Sequence, residues 1–299
     1  MLDSARSRYA QSLSSPLRDS LCSEPEVTND GASLRRAKGN GKGGPMSLEL
    51  LDSQRGRLRI LRDEVAENDY VLTQPRIDVI QDELRQWPVI GEKDPSDKFF
   101  ELFRLFEPDA NTMDVTAWRG VCHWISLRHG CVHGLTFAPT GLAVLQQRAA
   151  SVQDSPGCLD MTFSGHMGTR GVIDAARAEA LEESGLVLNA QSGHMVDPGD
   201  LKHIDSYDYV EPPRPAEEFY NVERRFVFAI RITDKALESL SALDGEVAMF
   251  RQTTIDAVWG LLRGRDAASA LRMSGPVALR YAAESWGRDW SVRGDRGAA

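Results

Sequence analysis

A short glutamate-rich helix that ends at a glycine constrains this chain more than any other segment. The pattern predicts a helix over residues 172–184, stopped by Gly185 as a left-handed C-cap. Glu179, Glu182 and Glu183 have i, i+3, i+4 spacing, which places all three carboxylates on one helix face. Like charges repel there, and each anion near a helix C-terminus costs about 0.3–1 kcal/mol. Positions 175, 178, 186 and 187 supply no cation, so the pattern predicts a divalent ion among the carboxylates. The alternative is a solvated acidic helix face.

The segment around this helix resembles the Nudix box, in which Arg-Glu, an aliphatic residue, two further glutamates and a glycine follow an earlier Gly and Glu. The second half fits from Ala178 to Leu186, with Ala178 in place of the family's Arg. In the first half, Arg170 or Gly171 takes the place of the family's Glu, depending on the alignment. The resemblance implies a hydrolase that uses Mg²⁺, with Mn²⁺ as the alternative ion, and cleaves an organic diphosphate.

The resemblance also assigns roles to the three carboxylates. It implies that Glu179, Glu182 and Glu183 are metal ligands. Glu179 and Glu182 are the expected catalytic residues, and Glu179 either ligates the metal or orients the attacking water. In the family, the missing Glu and Arg usually pair with each other, so their joint absence indicates a compensated rewiring. We expect Arg170 to fold over Glu179 or Glu182 in place of the family's Arg.

Other segments are similar to the isopentenyl-diphosphate-isomerase-like branch of the same superfamily. The similarity covers roughly residues 97–265 and includes a Pro-Gly-x-x-Asp segment at 156–160, Gly165-His166, and Asn221-Val-Glu223. It implies an α/β fold, a Nudix-type α/β/α sandwich around a mixed sheet, and Glu223 as a further metal ligand. The alternative for Glu223 is an exposed strand-edge residue, and Glu246 is a weaker candidate of the same kind. The isomerases carry a cysteine just before Gly-His, whereas residues 162–164 here hold no thiol. The sequence therefore disfavours an isomerase, which remains an alternative beside a non-catalytic diphosphate-binding module.

Two arginines and two histidines are candidate diphosphate contacts: Arg148, Arg170, His133 and His166. Arginine suits bidentate contact with phosphate, and His166 directly precedes the loop that leads to the acidic helix. For Arg148 the alternative is a strand-end ion pair, and for His166 it is a hydrogen bond that stabilises the loop. His129 and His133 have a zinc-like spacing, but no acidic partner lies near them in the sequence, which disfavours a structural zinc site.

The chain divides into four regions. Residues 1–47 predict a disordered tail, 48–96 a helical extension of two or three amphipathic helices, 97–265 the Nudix domain, and 266–299 a C-terminal helix with a tail. A hairpin is predicted from 132–137 and 142–147, with further strands at 161–163, 226–232 and 247–251. Thr254 is the predicted N-cap of a helix that runs through Leu262, and another helix is expected over 276–290. The polar residues 187–218 predict a functional loop or lid.

Composition limits the possible partners and compartment. No apolar run approaches the roughly 18–20 residues that span a bilayer, which argues against a membrane protein. A net charge of −9 argues against a nucleic-acid polymer as partner. Four cysteines without a Cys-x-x-Cys pair indicate reduced thiols in a cytoplasmic protein. We expect a small-molecule diphosphate of a nucleoside, sugar or isoprenoid as the partner, and a homodimer is possible.

Overall fold

The structure is a computed structural model, which describes residues 50–108, 112–152, 155–188, 201–211, 219–243, 245–264 and 266–294. The tail predicted over residues 1–47 lies outside the described residues. No helix in these ranges is both long enough and apolar enough to cross a membrane.

The described chain begins with a helical extension. It comprises α1 (Asp52–Glu67), α2 (Gln74–Arg85), α3 (Pro88–Gly91) and a 3₁₀ turn (Lys98–Phe100). Apolar residues at helical spacing, among them Leu58 and Leu61 on α1 and Ile77 and Ile80 on α2, are completely buried. They share one hydrophobic cluster with Trp124 on the helix α4 (Arg119–Ile125), so the extension packs directly against the element that carries His123.

Nine strands form a mixed sheet. They are β1 (Leu102–Phe106), β2 (Thr112–Trp118), β3 (His129–Phe137), β4 (Ala143–Arg148), β5 (Leu159–Asp160), β6 (Phe163–His166), β7 (Leu201–Val210), β8 (Val222–Arg231) and β9 (Val247–Thr253). The central pair, β3 and β8, is parallel, and the other strand pairs are antiparallel. β3 and β4 form the predicted hairpin.

Helices cover both faces of the sheet because successive residues of its strands point to opposite sides. Val132, Phe226 and Phe228 pack against α5 (Val172–Ser184) and α6 (Asp234–Glu238). Leu135 and Val227, on the other face, pack against α7 (Ile255–Leu261) and α8 (Ser269–Gly294). The expected α/β/α sandwich around a mixed sheet is confirmed.

Three local predictions were wrong. Residues 201–210 of the predicted lid form the strand β7, which pairs antiparallel with β8. Because β7 is an edge strand with charged residues, its sequence lacks the alternation of apolar and polar residues that marks a half-buried strand. The single strand expected at 161–163 is divided into β5 and β6, and Gly165 and His166 belong to β6 rather than to a loop. The last helix begins at Ser269 and contains Pro276 in its interior.

Candidate functional site

The acidic helix α5 has the predicted bounds, Val172–Ser184, and ends at Gly185 with φ 71°. Its last carboxylate, Glu183, is buried and anchored to the sheet. Glu183 Oε2 accepts hydrogen bonds from the backbone N–H of Ser164 at 2.9 Å and from Nε2 of Gln146 at 3.2 Å. Strands β6 and β4 therefore fix the orientation of this side chain.

Glu179 is also largely buried, with 13% of its side chain exposed. It lies against Gly165, where a Cβ atom would overlap its carboxylate, so the absence of a side chain at 165 makes room for it. Burial, followed by the charge of Glu182, raises the pKa of Glu179 to about 7. Glu182 is more open, with 55% of its side chain exposed. The helix thus presents one exposed and two buried carboxyl groups along one face.

Arg170 lies over this acidic face, as expected from the absence of the family's arginine. Its Nη1 is 3.6 Å from Glu179 Oε1, and its Nη2 is 3.5 Å from Glu182 Oε1. The Arg170 side chain is 47% exposed, which leaves it free to exchange partners with a ligand.

Three histidines from three elements form a second group, which we call the histidine cluster: His123 on α4, His129 on β3 and His166 on β6. One ring nitrogen of each lies within 4.8 Å of the others. His129 Nδ1 is 2.9 Å from the Leu127 carbonyl oxygen, which leaves Nε2 directed into the cluster. Among the described residues, His123 Nδ1, His129 Nε2 and His166 Nε2 are buried without a hydrogen-bond partner. Burial lowers the pKa of all three, so they are neutral imidazoles, the form that ligates transition metals.

Glu223 lies beside the histidine cluster because parallel pairing places it opposite His129. Its Oε2 accepts from Arg225 Nε at 2.6 Å, its Oε1 accepts from Asn221 Nδ2 at 2.6 Å, and Oε1 is 3.8 Å from His166 Nε2. Burial alone would raise the pKa of Glu223, but the charge of Arg225 and the hydrogen bond from Asn221 bring it down to about 2. The sequence has no acidic residue close to His129 and His133, and Glu223 supplies one from a distant strand.

A thiol and a fourth histidine adjoin Glu223. Cys131 Sγ lies 3.3 Å from His133 Nε2 and donates to the Gly165 carbonyl oxygen at 3.0 Å. His133 Nδ1 is 2.6 Å from Ser274 Oγ, and burial lowers the pKa of His133 to about 3. His133, expected to face a diphosphate, is thus an interior residue with 2% exposure. Cys131 also pairs in register with His166, so a neighbouring strand supplies a thiol beside Gly-His.

The remaining candidates lie apart or were missed. Arg148 Nη1 is 3.5 Å from Asp160 Oδ2, which is the strand-end ion pair considered as its alternative. Glu246 is exposed just before β9. Arg119, which the sequence did not single out, is 29% exposed and 3.1 Å from Glu101 Oε2. Burial lowers the pKa values of His123 and His166, and the charge of Arg119 lowers them further.

Comparison with solved structures finds partial likenesses. DR0079 of Deinococcus radiodurans matches with a TM-score of 0.44 at 16% identity, over 59% of this chain and 99% of its own. A MutT protein of Methanosarcina mazei Go1 matches with a TM-score of 0.38 at 15% identity, over 53% and 96%. The Nudix domain of Shewanella oneidensis NrtR, solved with ADP-ribose, matches with a TM-score of 0.36 at 12% identity, over 50% and 86%.

No protein-family model matches the sequence, and no curated protein matches it. The functional assignment of this chain therefore depends on its own carboxylates, arginines and histidines.

Proposed function

We propose that this chain is an Mg²⁺-dependent hydrolase of the Nudix type, which cleaves the diphosphate linkage of an organic diphosphate. The observation that carries the proposal is the position of Glu179, a buried carboxyl group held against Gly165 beside Glu182. A helix whose acidic face were only solvated would have no reason to bury a carboxylate there. Mn²⁺ in place of Mg²⁺, a cytoplasmic location and a homodimer remain predictions from the sequence.

The donor set fits a hard divalent cation. Glu179, Glu182 and Glu183 offer carboxylate oxygens, the ligands that Mg²⁺ prefers. The pKa of about 7 means that Glu179 is half protonated at neutral pH without a cation, so a bound ion would favour its charged form. Such an ion, when bound, would neutralise phosphate oxygens and lower the pKa of the attacking water.

The protein's own groups then divide the remaining work. Ser164 and Gln146 hold Glu183 through Oε2, which fixes the carboxylate beside Glu179 and Glu182. Glu179 has a pKa suited to accepting a proton from water near neutral pH. Arg170 and Arg119 are partly exposed guanidinium groups, suited to phosphate oxygens.

The experiment is a screen for phosphate or pyrophosphate release from nucleoside, sugar and isoprenoid diphosphates in the presence of Mg²⁺. Wild type is compared with Glu182→Gln and with Glu179→Gln. Loss of the proton acceptor in the second variant should lower the rate by about 10²–10⁴-fold. Glu67→Gln, an exposed glutamate at the end of α1, is the matched control and should keep the wild-type rate.

Release no greater than that of Glu182→Gln on every substrate would contradict the hydrolase proposal. Binding of a diphosphate without release would then favour the non-catalytic module.

A second candidate is an isomerase-like enzyme that moves a proton on an organic diphosphate. The specific observation in its favour is Cys131, a thiol opposite His166 and beside the histidine cluster, where the sequence indicated none. Isomerisation of isopentenyl diphosphate by wild type, lost in Cys131→Ser but kept in Cys158→Ser, would support it. No product with any divalent metal would exclude it.

A further inference from the structure

Three chemically different metal ligands converge inside the protein, on strands β3 and β8 rather than on the helix α5. Cys131 and His133 on β3 and Glu223 on β8 each offer one ligand atom, and these atoms all lie within 4.8 Å of one another. None of the three residues is more than 4% exposed. We propose that Cys131, His133 and Glu223 bind a zinc ion at a position that adjoins the histidine cluster.

The donor types and their spacing suit zinc. Zn²⁺ takes thiolate, imidazole and carboxylate ligands, with bonds of about 2.3 Å to sulfur and 2.0–2.2 Å to nitrogen and oxygen. A tetrahedron of that size holds its ligand atoms roughly 3.3–3.7 Å apart. Cys131 Sγ and His133 Nε2 are already 3.3 Å apart, so little movement of either side chain is needed.

A second set of contacts orients these ligands. Ser274 Oγ lies 2.6 Å from His133 Nδ1 and 2.8 Å from the Tyr207 hydroxyl. With its proton on Nδ1, His133 donates to Ser274 and turns the lone pair of Nε2 toward Cys131. Asn221 and Arg225 hold the two oxygens of Glu223 in the same way. Partners that fix ligand orientation in this manner are typical of metal sites.

The charges of the neighbouring groups and the position of His166 Nε2 both fit a cation at this site. On binding, the Cys131 thiol loses its proton to solvent, and the thiolate and the Glu223 carboxylate then face one Zn²⁺ and the guanidinium of Arg225. His166 Nε2 is buried without a hydrogen-bond partner among the described residues and lies 3.8 Å from Glu223 Oε1. It can supply a fourth ligand, and Glu223 can serve an ion in the histidine cluster as well.

The test is cobalt spectroscopy of the full-length, metal-stripped protein under reducing conditions. Cobalt alone is the probe, because a cobalt–thiolate bond gives an intense near-ultraviolet charge-transfer band that nitrogen and oxygen ligands do not give. We expect this band in wild type and its loss in Cys131→Ser. Cys158→Ser is the matched control: it removes a partly exposed thiol on another part of the sheet and should keep the band.

X-ray absorption spectroscopy at the zinc edge uses the wild-type protein loaded with one equivalent of zinc. It therefore does not depend on how a variant folds. A sulfur neighbour at about 2.3 Å from zinc is expected. The proposal is overturned if wild type binds no cobalt, if the band persists in Cys131→Ser, or if the bound zinc has only nitrogen and oxygen neighbours. None of these readouts depends on diphosphate hydrolysis, so this proposal and the hydrolase proposal can fail separately.

Discussion

The acidic face of α5 and the buried surroundings of Glu223 shift the pKa values of their carboxyl groups in opposite directions. On α5, three carboxylates of one helix crowd together, and the pKa of Glu179 rises to about 7 because burial and a like charge both disfavour its anion. The carboxylate of Glu223 on β8 is buried more deeply, yet its pKa falls to about 2 because the charge of Arg225 lies 2.6 Å away. Burial alone therefore does not decide the protonation state; the charge of the neighbours does.

The two regions also differ in the cation that lies beside their carboxylates. Arg170, a partly exposed cation, lies 3.5–3.6 Å from the Glu179 and Glu182 carboxylates of α5. Glu223 has a fully buried arginine at 2.6 Å. We infer that a ligand can displace the first cation readily, whereas the second is part of the folded core.

The largest expected effect concerns the Glu223–Arg225 pair. Glu223→Gln leaves the buried guanidinium of Arg225 without its counter-charge and should lower the free energy of unfolding by about 3–5 kcal/mol. Equilibrium urea denaturation measures this. Glu83→Gln breaks the partly exposed ion pair with Arg57 and should cost no more than about 1 kcal/mol. Equal losses in the two variants would show that burial of the Glu223 pair has no special weight.

The next prediction concerns the close contact between Gly165 and the Glu179 carboxylate. Gly165→Ala adds a Cβ where the Glu179 carboxylate lies, so Glu179 must move. If Glu179 acts on water as proposed, a displacement of about 1 Å should lower kcat/KM for the diphosphate roughly 10²-fold. Gly260→Ala is the control, because an added Cβ there meets no atom within 4 Å. A fully active Gly165→Ala protein with intact fold would contradict the role of Glu179.

The contrast between the acidic helix α5 and the histidine cluster also explains which features could be predicted from the sequence. Helix α5 was predicted with its true bounds because its signals are local: carboxylates at helical spacing and a glycine that adopts φ 71°. The meeting of His129 with Glu223 depends on parallel pairing of β3 and β8, strands far apart along the chain. No local spacing encodes that register. His123 and His166 likewise reach the cluster from other elements, and the sequence showed only that histidines were present.

The pH dependence of the protein's stability should show whether Glu179 is protonated or charged in the folded state. Because its folded pKa of about 7 exceeds the ordinary value of 4.5, its contribution to stability is complete below about pH 4.5 and is lost as pH rises through 7. Without metal, Glu179→Gln should match wild type at pH 4 and be more stable at pH 8. The gap should grow by up to about 1.4 kcal/mol per pH unit between the two pKa values.

Thermal or urea unfolding of both proteins measures this difference, and the comparison cancels the contribution of the buried histidines. Added Mg²⁺ should close the gap at pH 8 if the ion binds Glu179. A difference between the proteins that does not change with pH would mean that Glu179 is ionised throughout.

The smallest effect concerns Arg170, the cation that a metal must displace or share. Arg170→Ala removes a positive charge near Glu179 and Glu182, so Mg²⁺ should bind a few-fold more tightly, as for a partly exposed ion pair worth about 0.2–1 kcal/mol. If Arg170 also contacts phosphate, KM for the diphosphate should rise in the same variant. Arg177→Ala, which breaks an exposed pair with Asp174 on α5, is the control and should change neither quantity. Calorimetric titration with Mg²⁺ separates the two roles: weaker Mg²⁺ binding in Arg170→Ala would show that Arg170 supports the metal site rather than competing with it.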